Sequence, residues 1–192
     1  DRAIAALGGM DGENWGAFLV NYATLRAIEA AAPGDVARGD ALSWVAPLDT
    51  HAYADEGAPY ARLFLEASEG GSDPGPIFAL DAATEDELAE PIDLETDDDG
   101  LRRAAIAGAL GWSVADLTRT LALNADWLEG PFQLAELSHL AAVASFGRAL
   151  RLSPAAYRAS SAIQGDEPVR KPAEASPEAA LRRVLDFVRW NE

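Results

Sequence analysis

The stretch that decides the fold runs from Gly111 to Ile163 and reads GWSVADLTRTLALNADWLEGPFQLAELSHLAAVASFGRALRLSPAAYRASSAI. Two serines in it, Ser113 and Ser153, each stand directly before a segment typical of a helix. A serine at this position accepts a hydrogen bond from a free backbone N–H of the first helical turn. Asp116 stands where a capping box places its acid, and Pro154 stands where a missing N–H costs nothing. The pattern predicts two helices that begin alike.

The sequence predicts a longer helix between these two. Its apolar side chains recur every third or fourth residue, as on one face of an amphipathic helix, at Leu134, Leu137, Leu140 and Val143. The repeat of about 40 residues is typical of helical arrays. We therefore expect one structural unit in which six leucines share a single core: Leu117, Leu121, Leu137, Leu140, Leu150 and Leu152.

Much of the remaining sequence also predicts helices. Apolar residues from Trp15 to Ile28 fall on one face of a helix, with Asp11 or Asn14 as its cap and an end near Ala32. Further helical segments are expected to begin at Asp40, Pro59, Asp99 and Ser176.

The predicted fold class is all-α, an irregular multi-helix domain with short helical repeats and long loops. Only the segment 77–80 reads as extended, so we expect at most one or two very short strands. The 192 residues are taken as a single helical fragment of a larger protein. Within it, residues 1–66 form N-terminal helices, 67–99 an acidic loop region and 100–192 the helical repeat region.

Charge narrows the function classes. The net charge of -17 argues against a nucleic-acid partner, whose binders need a basic face. Thirteen acids and no Lys or Arg lie between Glu66 and Asp99, whereas eight basic and six acidic residues lie between Arg148 and Glu192. This asymmetry either orients the segment inside an assembly or marks a solvated acidic loop, and the loop is the favoured interpretation.

Two other compositional limits apply. No apolar run approaches the roughly 20 residues that span a bilayer, so no direct membrane span is expected. The chain has no cysteine, which excludes disulfides and thiolate metal sites.

The order of several short segments resembles a known family. These are 44–50 (WVAPLDT), 60–65 (YARLFL), 77–80 (IFAL), 110–113 (LGWS), 134–138 (LAELS), 150–153 (LRLS) and 176–177 (SP). In this order, over residues 40–190, the chain is similar to the A subunit of bacterial Tc toxin complexes, in its virulence-plasmid A or neuraminidase-like region.

The resemblance implies a structural role. In that family an α-helical shell surrounds a central channel that injects a toxic enzyme into host cells, and the chemistry resides in another subunit. It implies a non-catalytic segment with no cofactor, in a secreted or extracellular complex. The implied partners are other domains of the same large chain, further copies of the parent in a homo-oligomer, and a host-surface receptor or glycan.

Two alternatives stay open at this point. One is a helical interaction module of another large secreted or injection-machinery protein. The other is a glycan-binding or glycan-processing enzyme fragment. The tryptophans (Trp15, Trp44, Trp112, Trp127 and Trp190) are expected to be core or interface anchors before they are carbohydrate platforms.

The two histidines, His51 and His139, are the only imidazole bases for hydrolysis, and no Gly-x-Ser-x-Gly elbow accompanies them. His139 is expected to be a helix-surface or partly buried residue. Asp49 with Thr50, directly before His51, is expected to form a turn or cap rather than half of a catalytic pair.

The acidic run at 95–100 partly fits a calcium loop. Glu95, Asp97 and Asp99 would supply oxygens, but Ile106 occupies the position that requires a bidentate carboxylate. A helix N-cap with favourable dipole charge is the preferred interpretation, so no metal site is predicted.

Two glycosidase-like patterns are weaker still. Asp86 with Glu90 could act as paired carboxylates on paper, but such pairs arise by chance among 32 acids. Asp73 begins an imperfect Asp-box of the sialidase type, with Gly71 in the Ser/Thr position. We therefore predict neither catalytic nor cofactor-binding residues.

Overall fold

A computed structural model describes residues 4, 6–8, 14–32, 38–51, 58–65, 75–97, 100–123, 131–171 and 176–191. Seven α-helices lie within these ranges: α1 (Trp15–Ala31), α2 (Arg38–Ser43), α3 (Leu101–Leu110), α4 (Val114–Leu123), α5 (Leu134–Ala149), α6 (Pro154–Gln164) and α7 (Pro177–Trp190). A π-helical turn spans Ala61–Leu65 and a 3₁₀ turn spans Gly75–Phe78. The described residues contain no sheet, and the predicted all-α fold is confirmed.

Two isolated antiparallel bridges are the extended pairings of the described residues, Leu80 with Leu88 and Ile92 with Phe132. The expected strand at 77–80 is wrong for its first half, because Ile77 and Phe78 belong to the 3₁₀ turn. Pro76 holds its φ near the helical value, which favours a turn over a strand at this point.

Serine caps start three helices as predicted. The Ser113 hydroxyl accepts from the Asp116 N–H at 3.1 Å and donates to the Asp116 carboxylate at 2.7 Å. Ser153 accepts from Ala156 N–H at 3.2 Å, and Ser176 accepts from Glu178 N–H at 3.3 Å. These bonds satisfy donors that have no partner within their helices.

Asn14, one of the two residues expected to cap α1, does not cap it with its side chain. Asn14 stands at the cap position, but its backbone is already helical (φ -97°, ψ 0°) and its amide makes no capping bond. Asp11 lies outside the described residues. α2 begins at Arg38 rather than at Asp40.

The chain divides into two compact units. We call Asp1–Pro47 with Ser138–Glu192 the terminal unit, and Leu48–Leu137 the central unit. These boundaries differ from the three-part subdivision expected from the sequence, which stays a prediction. The six leucines expected to share one core are divided, with Leu117, Leu121 and Leu137 in the central unit and Leu140, Leu150 and Leu152 in the terminal unit.

Phe146 of α5 lies at the centre of the terminal unit's core. Its ring centroid lies 5.0 Å from that of Trp44, 6.1 Å from that of Tyr157 and 5.3 Å from that of Phe187, all in edge-to-face geometry. The Trp44 indole also donates to the Ser145 hydroxyl at 3.1 Å. These rings come from four separate segments, so one aromatic side chain organises the packing of the unit.

α5 is buried all round in this unit. Every residue from 138 to 147 is buried except the half-buried Ser145. The prediction of a one-sided amphipathic helix is therefore wrong, since a helix enclosed by others needs apolar or small residues on every side. Its alanines and Gly147 let other segments approach the helix closely. A Cβ atom added at Gly147 would meet the Leu152 carbonyl oxygen.

The central unit has its own aromatic group. Tyr60, Phe64 and Phe78 follow one another with ring centroids 5.1 and 5.0 Å apart. The Tyr60 hydroxyl donates to the Phe78 carbonyl at 2.8 Å, and burial raises the pKa of this phenol. The π-helical turn that carries Phe64 packs against α3.

Candidate functional site

The most developed polar site among the described residues surrounds His139 of α5. The sequence-based expectation of a surface or partly buried histidine is wrong, because His139 is only 2% exposed. Its Nδ1 lies 2.7 Å from the Arg170 carbonyl oxygen, and its Nε2 lies 2.9 Å from a Glu167 carboxylate oxygen. A carbonyl oxygen only accepts, so Nδ1 carries a proton.

The Glu167 contact is of a different kind from the carbonyl contact. At 2.9 Å it is a close ion-pair contact, although its angles do not make it a regular hydrogen bond. Both ring nitrogens therefore lie close to oxygen atoms of one segment of the chain. The histidine joins α5 to the segment 165–171, which we call the connector, between α6 and α7.

Other elements of the terminal unit hold the same connector. Arg183 of α7 donates from Nε to the Glu167 carbonyl at 2.8 Å and lies 3.4 Å from the Val169 carbonyl. The Arg170 N–H donates to the Trp44 carbonyl at 2.8 Å. Val169 between them is fully buried. The connector is thus fixed by main-chain bonds to three elements that are distant in sequence.

The outer edge of the connector carries charges of both signs. The Lys171 ammonium lies 2.6 Å from the Asp166 carboxylate, and Arg183 Nε lies 3.8 Å from it. Partial burial raises the pKa of Asp166, but the hydrogen bond and charge of Lys171 outweigh it, so the net pKa is lowered.

Two buried hydroxyls complete the site. Tyr157 and Ser161 lie one turn apart on α6, and both are buried. Burial first, and then the negative charge of Glu167, raise the pKa of Tyr157. Its hydroxyl lies near Ser161 and the backbone of Val169, yet within the described part of the chain neither hydroxyl makes a hydrogen bond of normal geometry.

The geometry of this site is better suited to holding the chain in place than to converting a substrate. Histidine, glutamate and tyrosine are proton-transfer groups, but a general acid or base must reach the proton that it moves. His139 is enclosed and faces acceptors of its own chain on both nitrogens. No sequence motif marks this site, because Glu167 and Arg170 lie in a segment that reads only as a connector.

His51 lies in a second polar group, in the central unit. The His51 N–H donates to Asp49 Oδ1 at 2.9 Å, which closes a turn and confirms that interpretation of Asp49 and Thr50. The Thr50 hydroxyl donates to Asp86 Oδ1 at 3.2 Å.

A catalytic triad places the nucleophile and the acid on opposite nitrogens of the imidazole. Here Thr50 (3.3 Å), Asp49 (3.7 Å) and Asp86 (3.7 Å) all face Nδ1 of His51. This geometry does not relay a proton through the ring. Asp86 and Glu90 are both exposed, and Asp73 lies outside the described residues.

The acidic run begins α3. Asp97 is buried, and its two carboxylate oxygens accept from the N–H groups of Arg102 (3.0 Å) and Arg103 (2.9 Å). The helix-cap interpretation is confirmed for Asp97, whereas Asp98 and Asp99 lie outside the described residues. Across the ranges that the structure covers, no group of three or more His, Asp or Glu side chains could hold a metal ion.

Two more aspartates, which the sequence reasoning missed, form turns in the acidic region. Asp93 accepts from the Thr96 hydroxyl at 2.7 Å and from the Glu95 N–H at 2.8 Å. These bonds, the Thr96 hydroxyl first, lower the pKa of Asp93. Asp81 accepts from the N–H groups of Ala83 and Thr84, which lower its pKa likewise. An aspartate outside the helical segments is the signal that could have found both turns, because its carboxylate can accept from the backbone N–H two residues further on.

Only some of the apolar side chains of α1 are buried. Leu25 and Ile28 are buried, but Trp15, Leu19 and Val20 are 46%, 50% and 58% exposed. The residues expected to share one apolar face are therefore buried only towards the end of the helix, at Leu25 and Ile28. The amide of Asn21 donates to the Leu7 carbonyl at 3.0 Å, so the side of α1 that faces inward includes Asn21.

The tryptophans differ in their environments. Trp44 is a core residue, as expected, whereas Trp15 and Trp190 are about half exposed. Trp127 lies outside the described residues.

Charge is distributed unequally between the units. The terminal unit contains eleven Lys and Arg residues against twelve Asp and Glu residues, and the central unit contains four against twenty. Nearly all of the net negative charge therefore belongs to the central unit.

In the described part of the chain, no helix combines the length and apolar character that a membrane crossing requires. Compared with known proteins, the chain matches no protein-family model, no curated protein and no solved structure.

Proposed function

We propose that this chain is a non-catalytic structural segment of a Tc-toxin-like A subunit, in the helical shell around the central channel that injects a toxic enzyme into host cells. The observation that carries the proposal is the use made of His139. Its two nitrogens face a carbonyl and a carboxylate of the connector. A side chain that could take part in proton transfer therefore holds the backbone in place instead.

Other reactive side chains are used in the same way. Asp97 starts α3 through both of its carboxylate oxygens, and Asp49 closes a turn. Arg183 holds main-chain carbonyls of the connector. These contacts fix helix starts and turns, which suits a structural segment.

The unequal charge supports placement in an assembly. One unit of the chain is nearly neutral and the other is strongly acidic. The two units would therefore attract neighbours of different charge, which would help to orient the segment in an assembly. In this proposal the neighbours are other domains of the same long chain and further copies of it, and the complex is secreted.

A second candidate is a helical interaction module of another large secreted or injection-machinery protein. The exposure of Trp15, Leu19 and Val20 on α1 favours it, because apolar side chains grouped on a surface mark interaction sites.

Electron cryo-microscopy of the full-length parent protein tests the proposal. The expected result is a large oligomer in which this segment lies in a helical wall around a channel. A parent that forms no such wall, or a parent in which these helices line an active-site cleft, would contradict it.

A further inference from the structure

The helix pairs α3–α4 and α5–α6 are joined by junctions of equal length. Residues 111–113 join the first pair and residues 151–153 join the second, so equivalent positions lie 40 residues apart in the sequence. Each junction consists of one residue that ends the first helix, one apolar residue and one serine. Features that recur in both belong to the junction rather than to its surroundings.

In both junctions the first residue has a left-handed backbone. The φ angle is 69° at Gly111 and 57° at Arg151. The N–H of each residue donates to the carbonyl three residues earlier, at 3.1 and 3.0 Å, and the following N–H donates to the carbonyl five residues earlier, at 2.8 Å in both. This pair of bonds is the Schellman motif, which satisfies carbonyls at the end of a helix.

The serine of each junction begins the next helix in the same way. The hydroxyls of Ser113 and Ser153 accept from the N–H three residues further on, at 3.1 and 3.2 Å. Their carbonyls accept from the N–H four residues further on, at 3.0 and 2.9 Å. Each hydrogen bond of this set in one junction therefore has a counterpart of nearly the same length in the other.

Burial repeats together with the hydrogen bonds. Along residues 105–113, the order of buried, half-buried and exposed positions is the same, residue by residue, as along residues 145–153. The apolar residue in the middle of the junction, Trp112 or Leu152, is half-buried in both. It follows the left-handed residue of one helix and precedes the cap of the next, two places where an apolar side chain packs against a helix. One side chain can therefore serve both helices.

The two junctions differ at their exposed positions. Gly108 and Gly111 of the first correspond to Arg148 and Arg151 of the second, and all four are exposed. The space above both glycines is open, so a larger side chain meets no obstacle there. What distinguishes glycine from arginine at these positions is therefore the backbone conformation and not the packing.

From these observations we propose that residues 108–116 and 148–156 are one helix-junction module used twice, so that each segment can take the place of the other. Each segment contains a single buried residue, which is leucine in both. The segments end before Leu117 and Tyr157, where the buried side chains of the two copies differ. The inference is independent of the toxin-like role.

Two chimaeras of the full chain test the exchange. One carries a copy of residues 148–156 in place of 108–116, and the other carries the reverse replacement. Both should unfold cooperatively in urea and keep the helical circular dichroism of the unmodified chain. The ratio of folded to unfolded chains should change by less than about fivefold, because exchanging glycine and arginine has opposite effects at the left-handed position and within the helix.

The control keeps the composition of the first junction and removes its conformation. Exchanging its first two residues, Gly111→Trp together with Trp112→Gly, places a bulky side chain where the backbone is left-handed and removes the apolar residue from the middle. This variant should lower the ratio of folded to unfolded chains about thirtyfold. A chimaera that loses as much as this control, or that does not fold, would overturn the proposal.

Single substitutions separate the two positions at which glycine and arginine are exchanged. Gly108→Arg should raise the ratio of folded to unfolded chains about threefold, because glycine is unfavourable within a helix. Gly111→Arg should lower it about fivefold, and Arg151→Gly should raise it by a similar factor, because glycine adopts the left-handed conformation more readily. Urea denaturation measures all three. Effects of the same sign at 108 and 111, or a loss on Arg151→Gly, would also overturn the proposed module.

Discussion

The imidazole of His139 and the carboxylate of Glu167 meet at 2.9 Å inside the terminal unit, and the same ring lies 2.7 Å from the Arg170 carbonyl. One side chain on α5 thereby holds two points of the connector. Because the connector also binds Trp44 and Arg183 through its main chain, this contact joins four segments of the unit.

Replacing His139 by alanine should destabilise the protein by about 2–4 kcal/mol, because the Arg170 carbonyl and the Glu167 carboxylate lose their contact with the imidazole and a cavity remains. Urea denaturation followed by circular dichroism measures the effect. His51→Ala is the matched control, since His51 is exposed in a turn, and should cost about 0.5 kcal/mol or less. Equal effects at the two histidines would show that the connector is not held through His139.

Phe146→Ala should cost about 3–5 kcal/mol, as for other buried aromatic residues truncated to alanine. Its ring touches Trp44, Tyr157 and Phe187, so its loss affects every segment that meets there. Leu101→Ala, at an exposed position of α3, is the control and should change the free energy of unfolding little. A small effect of Phe146→Ala would mean that these rings do not form the core of the unit.

The serine caps offer a prediction of local stability. Ser153→Ala should cost about 1 kcal/mol, because the Ala156 N–H loses its acceptor. Ser153→Asp keeps an acceptor at the cap and should retain most of the stability. Chemical denaturation of both variants compares them, and equal losses would place the effect elsewhere than in the hydrogen bond.

How far the sequence predicts this structure depends on how local each interaction is. The caps at Ser113, Ser153 and Ser176 were predictable, since each needs only the next three residues. The burial of His139 was not, because its partners lie in a connector without any periodic pattern. The pattern of α1 likewise showed an apolar helix but not which side is buried, since packing against α7 decides that.

Burial of two tyrosines predicts a loss of stability in alkali. Burial raises the pKa of Tyr60 and of Tyr157 in the folded state, whereas an unfolded tyrosine ionises near pH 10. The folded state therefore binds more protons than the unfolded state above about pH 10, and its stability is full below that pH and falls as the pH rises further. Urea titrations from about pH 8 to about pH 11 test this, because this range brackets the pKa of about 10 of an unfolded tyrosine. Tyr60→Phe should flatten the dependence, and an unchanged slope would contradict the assignment.

The unequal charge of the two units predicts that salt acts on one of them more than on the other. The central unit has twenty acidic residues against four basic ones, so mutual repulsion opposes its compact state, whereas the terminal unit is close to neutral. At an ionic strength near 0.15 M the screening length is about 8 Å, so repulsion between exposed carboxylates weakens markedly as NaCl is added.

Hydrogen exchange read by mass spectrometry at low and at physiological salt separates the units. Protection of α3 and of the Tyr60–Phe64 segment should rise with salt, and protection of α6 and α7 should change less. Sucrose, which favours compact states without screening charge, is the control and should raise protection in both units alike. An equal response of both units to NaCl would show that charge repulsion within the central unit does not limit its stability.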